Sequence, residues 1–145
     1  MTHPLDDALK RYIAFYETLS PETLPQAHTV FTEDARFKDP FNDVRGLDKI
    51  DRVFTDMFKT VGTPDFHVTG SGWNGDATCY LRWRFTYRVG GKGETIMVEG
   101  MSDVTFAADG KVSSHIDFWD AAQGLYEHLP VIGAVLRMLR RRVQA

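Results

Sequence analysis

TCYLRWRFTYRVGGKGETIMVEGMSDVTFAADGKVSSHIDFW, residues 78–119, decides the fold. Leu81, Trp83, Phe85, Tyr87 and Val89 alternate with Arg82, Arg84, Thr86 and Arg88. Ile96, Val98, Gly100, Ser102, Val104 and Phe106 alternate with Met97, Glu99, Met101 and Asp103. Alternation sends successive side chains to opposite faces of a strand, so each run has one apolar and one polar face. Gly90–Gly93 and Asp109-Gly110 punctuate the runs, which predicts hairpins and a last strand over Lys111–Trp119. Paired through the first turn, the arginines of one strand meet the acids of the next. That is a solvated cross-strand charge face rather than a nucleic-acid surface. The Gly90–Gly93 stretch joins strand to strand and opens no helix, so it reads as a turn and not a phosphate cradle.

Moving toward the N-terminus, Phe66–Trp73 forms one more strand-like run before the Asn74-Gly75 turn. Earlier still the period changes. Leu5, Ala8, Leu9, Tyr12, Phe15, Tyr16 and Leu19 recur at spacings of three and four, the mark of an amphipathic helix. Ser20-Pro21 predicts a second helix over Thr23–Phe31, which Pro25 keeps short or irregular. Gly46 precedes a third stripe of Leu47, Ile50, Val53, Phe54, Met57, Phe58 and Val61 that stops at Gly62 and Pro64. Between the last two helices, Ala35–Pro40 alternates and puts Phe37 and Asp39 on one face. Helices first and a mostly antiparallel meander afterwards make the class α+β. A strongly curved sheet packed on three N-terminal helices would enclose one pocket.

Past the sheet, residues 125–143 predict a C-terminal amphipathic helix. Ile132, Val135, Leu136, Leu139 and Val143 form its stripe, and Arg137, Arg140, Arg141 and Arg142 cluster near its end. Cations at a helix C-terminus favour the macrodipole. The same helix could cap the cavity mouth or contact a second subunit, and its basic amphipathic character leaves a membrane surface open.

A chain of 145 residues with a net charge of −3 reads as one domain over 1–145 with no global field for phosphate backbones. The single cysteine, Cys79, excludes an internal disulfide framework and a thiolate-cluster zinc site. The opening MTHPLDDALKRYI interleaves acids and bases with no continuous apolar stretch, which predicts a cytoplasmic protein. No metal-ligand spacing occurs, and a site of His115, Asp117 and a third ligand such as His67 or His128 lacks any close-spaced motif. Neither metal nor cofactor is expected.

Four segments carry a family likeness: KRYIAFY in the opening helix, FKDPFNDVRG, MSDVTFAADGKV and SSHIDFWD. Together, over about Asp6–Trp119, they resemble the SnoaL-like, ketosteroid isomerase-like branch of the nuclear transport factor 2-like superfamily. The resemblance implies a cone-shaped fold with a deep apolar cavity for a hydrophobic small molecule, and a homodimer through the outer face of the sheet. It leaves chemistry open, because the superfamily hosts isomerases, cyclases, epoxide hydrolases, dehydratases and proteins without catalysis. In ketosteroid isomerases a carboxylate moves the proton while a tyrosine and a protonated aspartic acid hold the oxyanion. By resemblance the base falls on Asp39 and the tyrosine on Tyr12, with Tyr16 one turn away. The second aspartic acid is replaced by Ser102, which moves the chemistry away from steroid isomerisation.

The last strand offers a different constellation, since His115, Asp117 and Trp119 share a face by parity. His115 with Asp117 can form a proton-transfer pair. Phe37, Phe54, Trp83, Val98 and Trp119, with Tyr16, are the expected substrate-binding walls. Each polar residue also has a structural reading: Asp39 as a turn cap, the tyrosines as core, and His115 with Asp117 as a mutually satisfied pair. Three functions stay open at this level: a cofactor-independent isomerase, lyase or hydrolase; a noncatalytic carrier; and a dimeric interaction module.

Overall fold

The structure is a computed structural model that describes residues 2–88, 92–124, 126–128 and 130–144. Helix α1 (Asp6–Glu17) is followed by a 3-10 turn (Leu24–Gln26), a single turn of helix α2 (Ala27–Val30), strands β1 (Phe31–Lys38) and β2 (Asp43–Arg45), and helix α3 (Leu47–Val61). Strands β3 (Asp65–Asn74), β4 (Thr78–Tyr87), β5 (Ile96–Phe106) and β6 (Val112–Trp119) come next. Helix α4 (Ala121–Gly124), a 3-10 turn (Tyr126–His128) and helix α5 (Pro130–Val143) end the described chain.

The strands form one sheet in the order β2-β1-β6-β5-β4-β3, with β1 and β6 parallel and every other neighbour antiparallel. The alternation in residues 78–119 sets its centre. Leu81 faces Ser102, Trp83 faces Gly100 and Phe85 faces Val98 across β4 and β5, so the apolar positions of both strands share the buried face. On the other face Arg84 lies opposite Glu99 and holds it at 3.2 Å, while Arg82 reaches the same carboxylate at 3.8 Å. Val89, Gly90 and Gly91 lie outside the described residues, and with them most of the turn expected at Gly90–Gly93.

Helices α1 and α3 cover the concave face; the α+β class is the one expected from the pattern, and the cone is the shape that the resemblance implies. Tyr12, Phe15, Phe31, Ile50, Phe54, Val104 and Val112 are its fully or almost fully buried centre. Burial on this scale supplies the main stabilising term, about 1.5–3 kcal/mol for each large apolar side chain removed from water.

One local reading is corrected. The first strand begins at Phe31 and not at Ala35, because Phe31 pairs with Val112 of β6 and is wholly buried under α1. It also ends at Lys38, so Asp39 stands in the turn that follows rather than on the strand. Strand β2 is an addition, since the sequence reading assigned no element to residues 43–45. Three residues long, it is held by a two-pronged pair in which Arg36 Nε and Nη2 donate to Asp43 at 2.9 Å each. Pro25 makes the second helix irregular as expected, a 3-10 turn leading into a single α turn. In the C-terminal segment Leu125 and Leu129 are outside the described residues, and α5 supplies the expected helix. Among the described residues no helix is long and apolar enough to cross a membrane.

Candidate functional site

Because α3 lies along the concave face of a curved sheet, the space between them is a cavity of about 580 Å³. Its walls are mainly aromatic: Tyr16 from α1, Phe37 from β1, Phe54 from α3, Phe66 from β3, Trp83, Phe85 and Tyr87 from β4, and Trp119 from β6. Asp39 and Asp117 bring carboxylates to this surface.

Behind the wall runs a continuous polar chain. The Trp83 indole N–H donates to Ser102 Oγ at 2.8 Å, and Ser102 donates to Asp117 Oδ1 at 2.5 Å. Its direction is fixed, because an indole can only donate and so commits the serine hydroxyl's one proton to the carboxylate. Asp117 Oδ1 also meets His115 Nε2 at 2.6 Å, and His115 Nδ1 meets the Tyr12 hydroxyl at 2.7 Å. Tyr12 and Tyr16 hydroxyls are 3.5 Å apart. The His115 ring is clamped between two cavity walls, Tyr16 at 5.3 Å and Phe37 at 5.2 Å, both stacked on it, and is only 3% exposed. Burial pushes the Tyr12 and Tyr16 phenols well above their ordinary range, and for Tyr16 the nearby Asp117 charge adds to it. Both therefore remain protonated donors at neutral pH.

Both polar contacts to Asp117 fall on Oδ1. Oδ2 has no hydrogen-bond partner among the described residues, and it belongs to a residue that lines the cavity. Asp39 is differently occupied. Its Oδ1 accepts from the backbone N–H groups of Phe41 at 2.8 Å and Asn42 at 2.7 Å and from the Asn42 amide at 3.1 Å. Pro40 cannot donate, so the carboxylate ties the two N–H groups beyond it into an Asx turn.

Of the residues expected at the site, Tyr16, Phe37, Asp39, Phe54, Trp83, Asp117 and Trp119 line the cavity. Tyr12, Ser102 and His115 sit one layer behind and reach it through Asp117 and Tyr16. Val98 is not a wall residue. It is buried where α4 closes over the sheet, so near that a Cβ on Gly124 would stand 2.8 Å from its Cγ2. Val53, Met57 and Val61, placed by the reading in the apolar stripe of α3, also line the cavity, and so do Lys49, Arg52, Asp56 and Thr60, which it missed. The spacings of three and four from Lys49 to Thr60 were the available signal, masked by the more apolar stripe beside these polar residues. Among the described residues no group of three or more His, Cys, Asp or Glu is placed to share a metal ion.

A family model described as the SnoaL-like domain matches residues 12–115. No curated protein matches the sequence. Several solved structures share the fold. One is a proposed SnoaL-like polyketide cyclase from a Jannaschia species, with 15% identity, 85% of this chain and 92% of that chain covered, and a TM-score of 0.73. A hypothetical protein of ketosteroid isomerase-like fold from Catenulispora acidiphila, in complex with trimethylamine, has 15% identity, coverage of 86% and 92%, and a TM-score of 0.70. An LEH-like epoxide hydrolase of M. tuberculosis has 15% identity, full coverage of both chains and a TM-score of 0.70. At these identities the likeness shows the fold alone.

Proposed function

The chain belongs to the SnoaL-like domain family, and from that premise we propose that it is a cofactor-independent acid–base enzyme acting on an apolar small molecule in the cone cavity. The observation that carries this is the carboxylate of Asp117. Ser102 and His115 fix its inner oxygen, and Oδ2, at a cavity walled mainly by aromatic rings, has no hydrogen-bond partner among the described residues. A group held by both neighbours loses little freedom on reaction, which is the preorganisation proton transfer needs.

In this reading Asp117 Oδ2 takes a proton from carbon beside a ligand carbonyl. The C–H electron pair becomes a C=C bond as the carbonyl π pair moves onto oxygen, and the Tyr16 hydroxyl donates a hydrogen bond to the resulting oxyanion. In a ligand with a C=C bond next to that carbon, the oxyanion pair re-forms the carbonyl as Asp117 returns the proton to the far end of the conjugated system, which completes an isomerisation; the same carboxylate could instead activate water for hydration or hydrolysis. His115 and Tyr12 orient the carboxylate and its phenol partner. Asp39 serves as wall and turn cap and keeps second place as base. The homodimer that the resemblance implies would use the outer face of the sheet, where Met97, Met101 and Phe118 are exposed.

The reading is tested by following exchange of solvent deuterium into a panel of apolar ketones. Asp117→Asn should lower the exchange rate by about a thousandfold, within the usual range for loss of a general base, while Asp39→Asn retains most of it. A second reading has support in the same geometry, since the Trp83–Ser102–Asp117–His115–Tyr12 chain is hydrogen-bonded throughout, as a purely structural network would be. Ligands that bind with no exchange in the wild type would make the protein a carrier.

A further inference from the structure

Helix α5 turns its apolar side away from the protein. Val131 is 77% exposed, Ile132 53% and Val143 83%, while Val135, Met138 and Leu139 are each close to half exposed. At about 100° per residue these six side chains occupy one sector about 140° wide. Gly133, on the opposite side, is buried. The helix contacts the rest of the chain chiefly through the 3-10 turn at Tyr126–His128, and on one side its Leu136, Leu139, Arg140 and Val143 border a groove shared with Asp120 and Gln123. It also lies beyond the family match, which ends at residue 115. An isolated 14-residue helix is marginal in water, and an apolar sector of this size seeks a cover.

Charge decides what that cover is. Residues 130–144 hold four arginines and no acid, in a chain whose net charge is −3. Arg140 and Arg141 flank the apolar sector, one on each side, and Arg142 lies within it at the helix end, where a long side chain can reach outward past the apolar surface. Two such helices packed on each other would set arginine against arginine. A second exposed apolar area, Met97, Met101 and Phe118 on the outer sheet face, shares that face with Arg82, Arg84 and Glu99, and Glu99 is already held by both arginines, so it gives the arginines of α5 from a second copy no free acid to meet. An apolar sector framed by cations fits a surface that is apolar in depth and anionic at its boundary.

We propose that α5 is an interfacial helix that binds the surface of an anionic lipid bilayer. It lies in the plane of the headgroups, with the Val131–Val135–Met138 row and the Ile132–Leu139–Val143 row turned to the acyl chains and Arg141 and Arg142 on lipid phosphates. The attachment bears on the cavity as well. Tyr126, at the base of the helix, meets Phe41 edge-on at 5.6 Å, and Phe41 meets Trp119 at the same distance; both Phe41 and Trp119 line the cavity. Docking therefore brings the cavity wall to the lipid boundary, where apolar ligands partition.

The test is sedimentation of the full chain with vesicles of phosphatidylcholine alone and of phosphatidylcholine mixed with phosphatidylglycerol. The protein should bind the anionic vesicles at least about tenfold better and lose that binding as salt rises, since each cation near the surface contributes a comparable increment. Ile132→Asp with Val135→Asp, and separately Arg141→Glu with Arg142→Glu, should each lower binding by about tenfold or more, with circular dichroism and sedimentation coefficient unchanged. Asp117→Asn should bind vesicles as the wild type does, which separates this inference from the proposed chemistry. Equal or absent binding to the two vesicle types overturns it. So does Ile132→Asp with Val135→Asp that leaves vesicle binding intact, or that splits a larger particle into a smaller one and so assigns the face to a second copy.

Discussion

Gly100 sits at the point where the site meets the sheet. A Cβ there would stand 2.4 Å from the Trp83 ring and 3.0 Å from Trp119 Cβ, so the bare backbone of β5 is what lets the indole lie across it and donate to Ser102. Gly100→Ala should displace the indole and destabilise the protein by about 1–3 kcal/mol, the usual cost of overpacking. The measurement is the urea midpoint together with tryptophan emission, and an unshifted midpoint would refute the packing account. Ser102→Ala removes the shared hydroxyl and leaves the buried indole N–H without its acceptor, at a cost of about 1–3 kcal/mol. Its effect on deuterium exchange should exceed that on ligand affinity, because the orientation of Asp117 is what changes. These residues were legible by strand parity, which turned Ser102, His115 and Asp117 to one side. Parity could not tell which polar atoms would meet, because that depends on the register of β5 against β6, where Ser102 lies opposite Asp117.

In the turn between β1 and β2, the two sequence readings of Asp39, pocket carboxylate and turn cap, describe the same side chain. Parity extended from β1 directs Asp39 toward the cavity, and it does line the cavity, yet the strand has already ended and the carboxylate serves the turn. Such capping depends on two N–H groups that follow in sequence, and hydrophobic period carries no trace of it. Asp39→Asn keeps an oxygen able to accept both bonds and should change stability by a few tenths of a kcal/mol, whereas Asp39→Ala should cost about 1 kcal/mol, comparable to losing a helix cap. Equal unfolding midpoints for the two variants would remove the capping role. Helix α3 and strands β3 to β6 were readable within a residue or two because long stripes and glycine turns agreed. The three-residue β2 was not, since one half-buried residue between two exposed ones is too short to show a period, and its pairing with β1 is a matter of register.

On the scale of the whole molecule, the buried phenols make alkaline pH a probe of the packed core. Tyr12 is 1% exposed and Tyr16 7%, and burial holds both phenols protonated well above their ordinary value of 10.0. In the unfolded chain the same phenols ionise near pH 10. Below that pH both states carry the protons and the stabilisation is fully present. Above it the unfolded state sheds protons that the folded state retains, so the unfolded state binds fewer and stability falls as pH rises. Each phenol then removes about 1.4 kcal/mol per pH unit until the folded value is reached. The urea midpoint should accordingly be insensitive to these groups from pH 7 to about 9.5 and drop steeply between about pH 10 and 11.5. Tyr16→Phe, which keeps the ring that stacks on His115 but has no proton to lose, should soften that drop. A wild-type midpoint that stays level to pH 11.5 would mean that these phenols ionise inside the folded protein. The wall behind the cavity would then be open to water rather than sealed, which removes the dry environment that a Tyr16 hydrogen bond to an oxyanion requires.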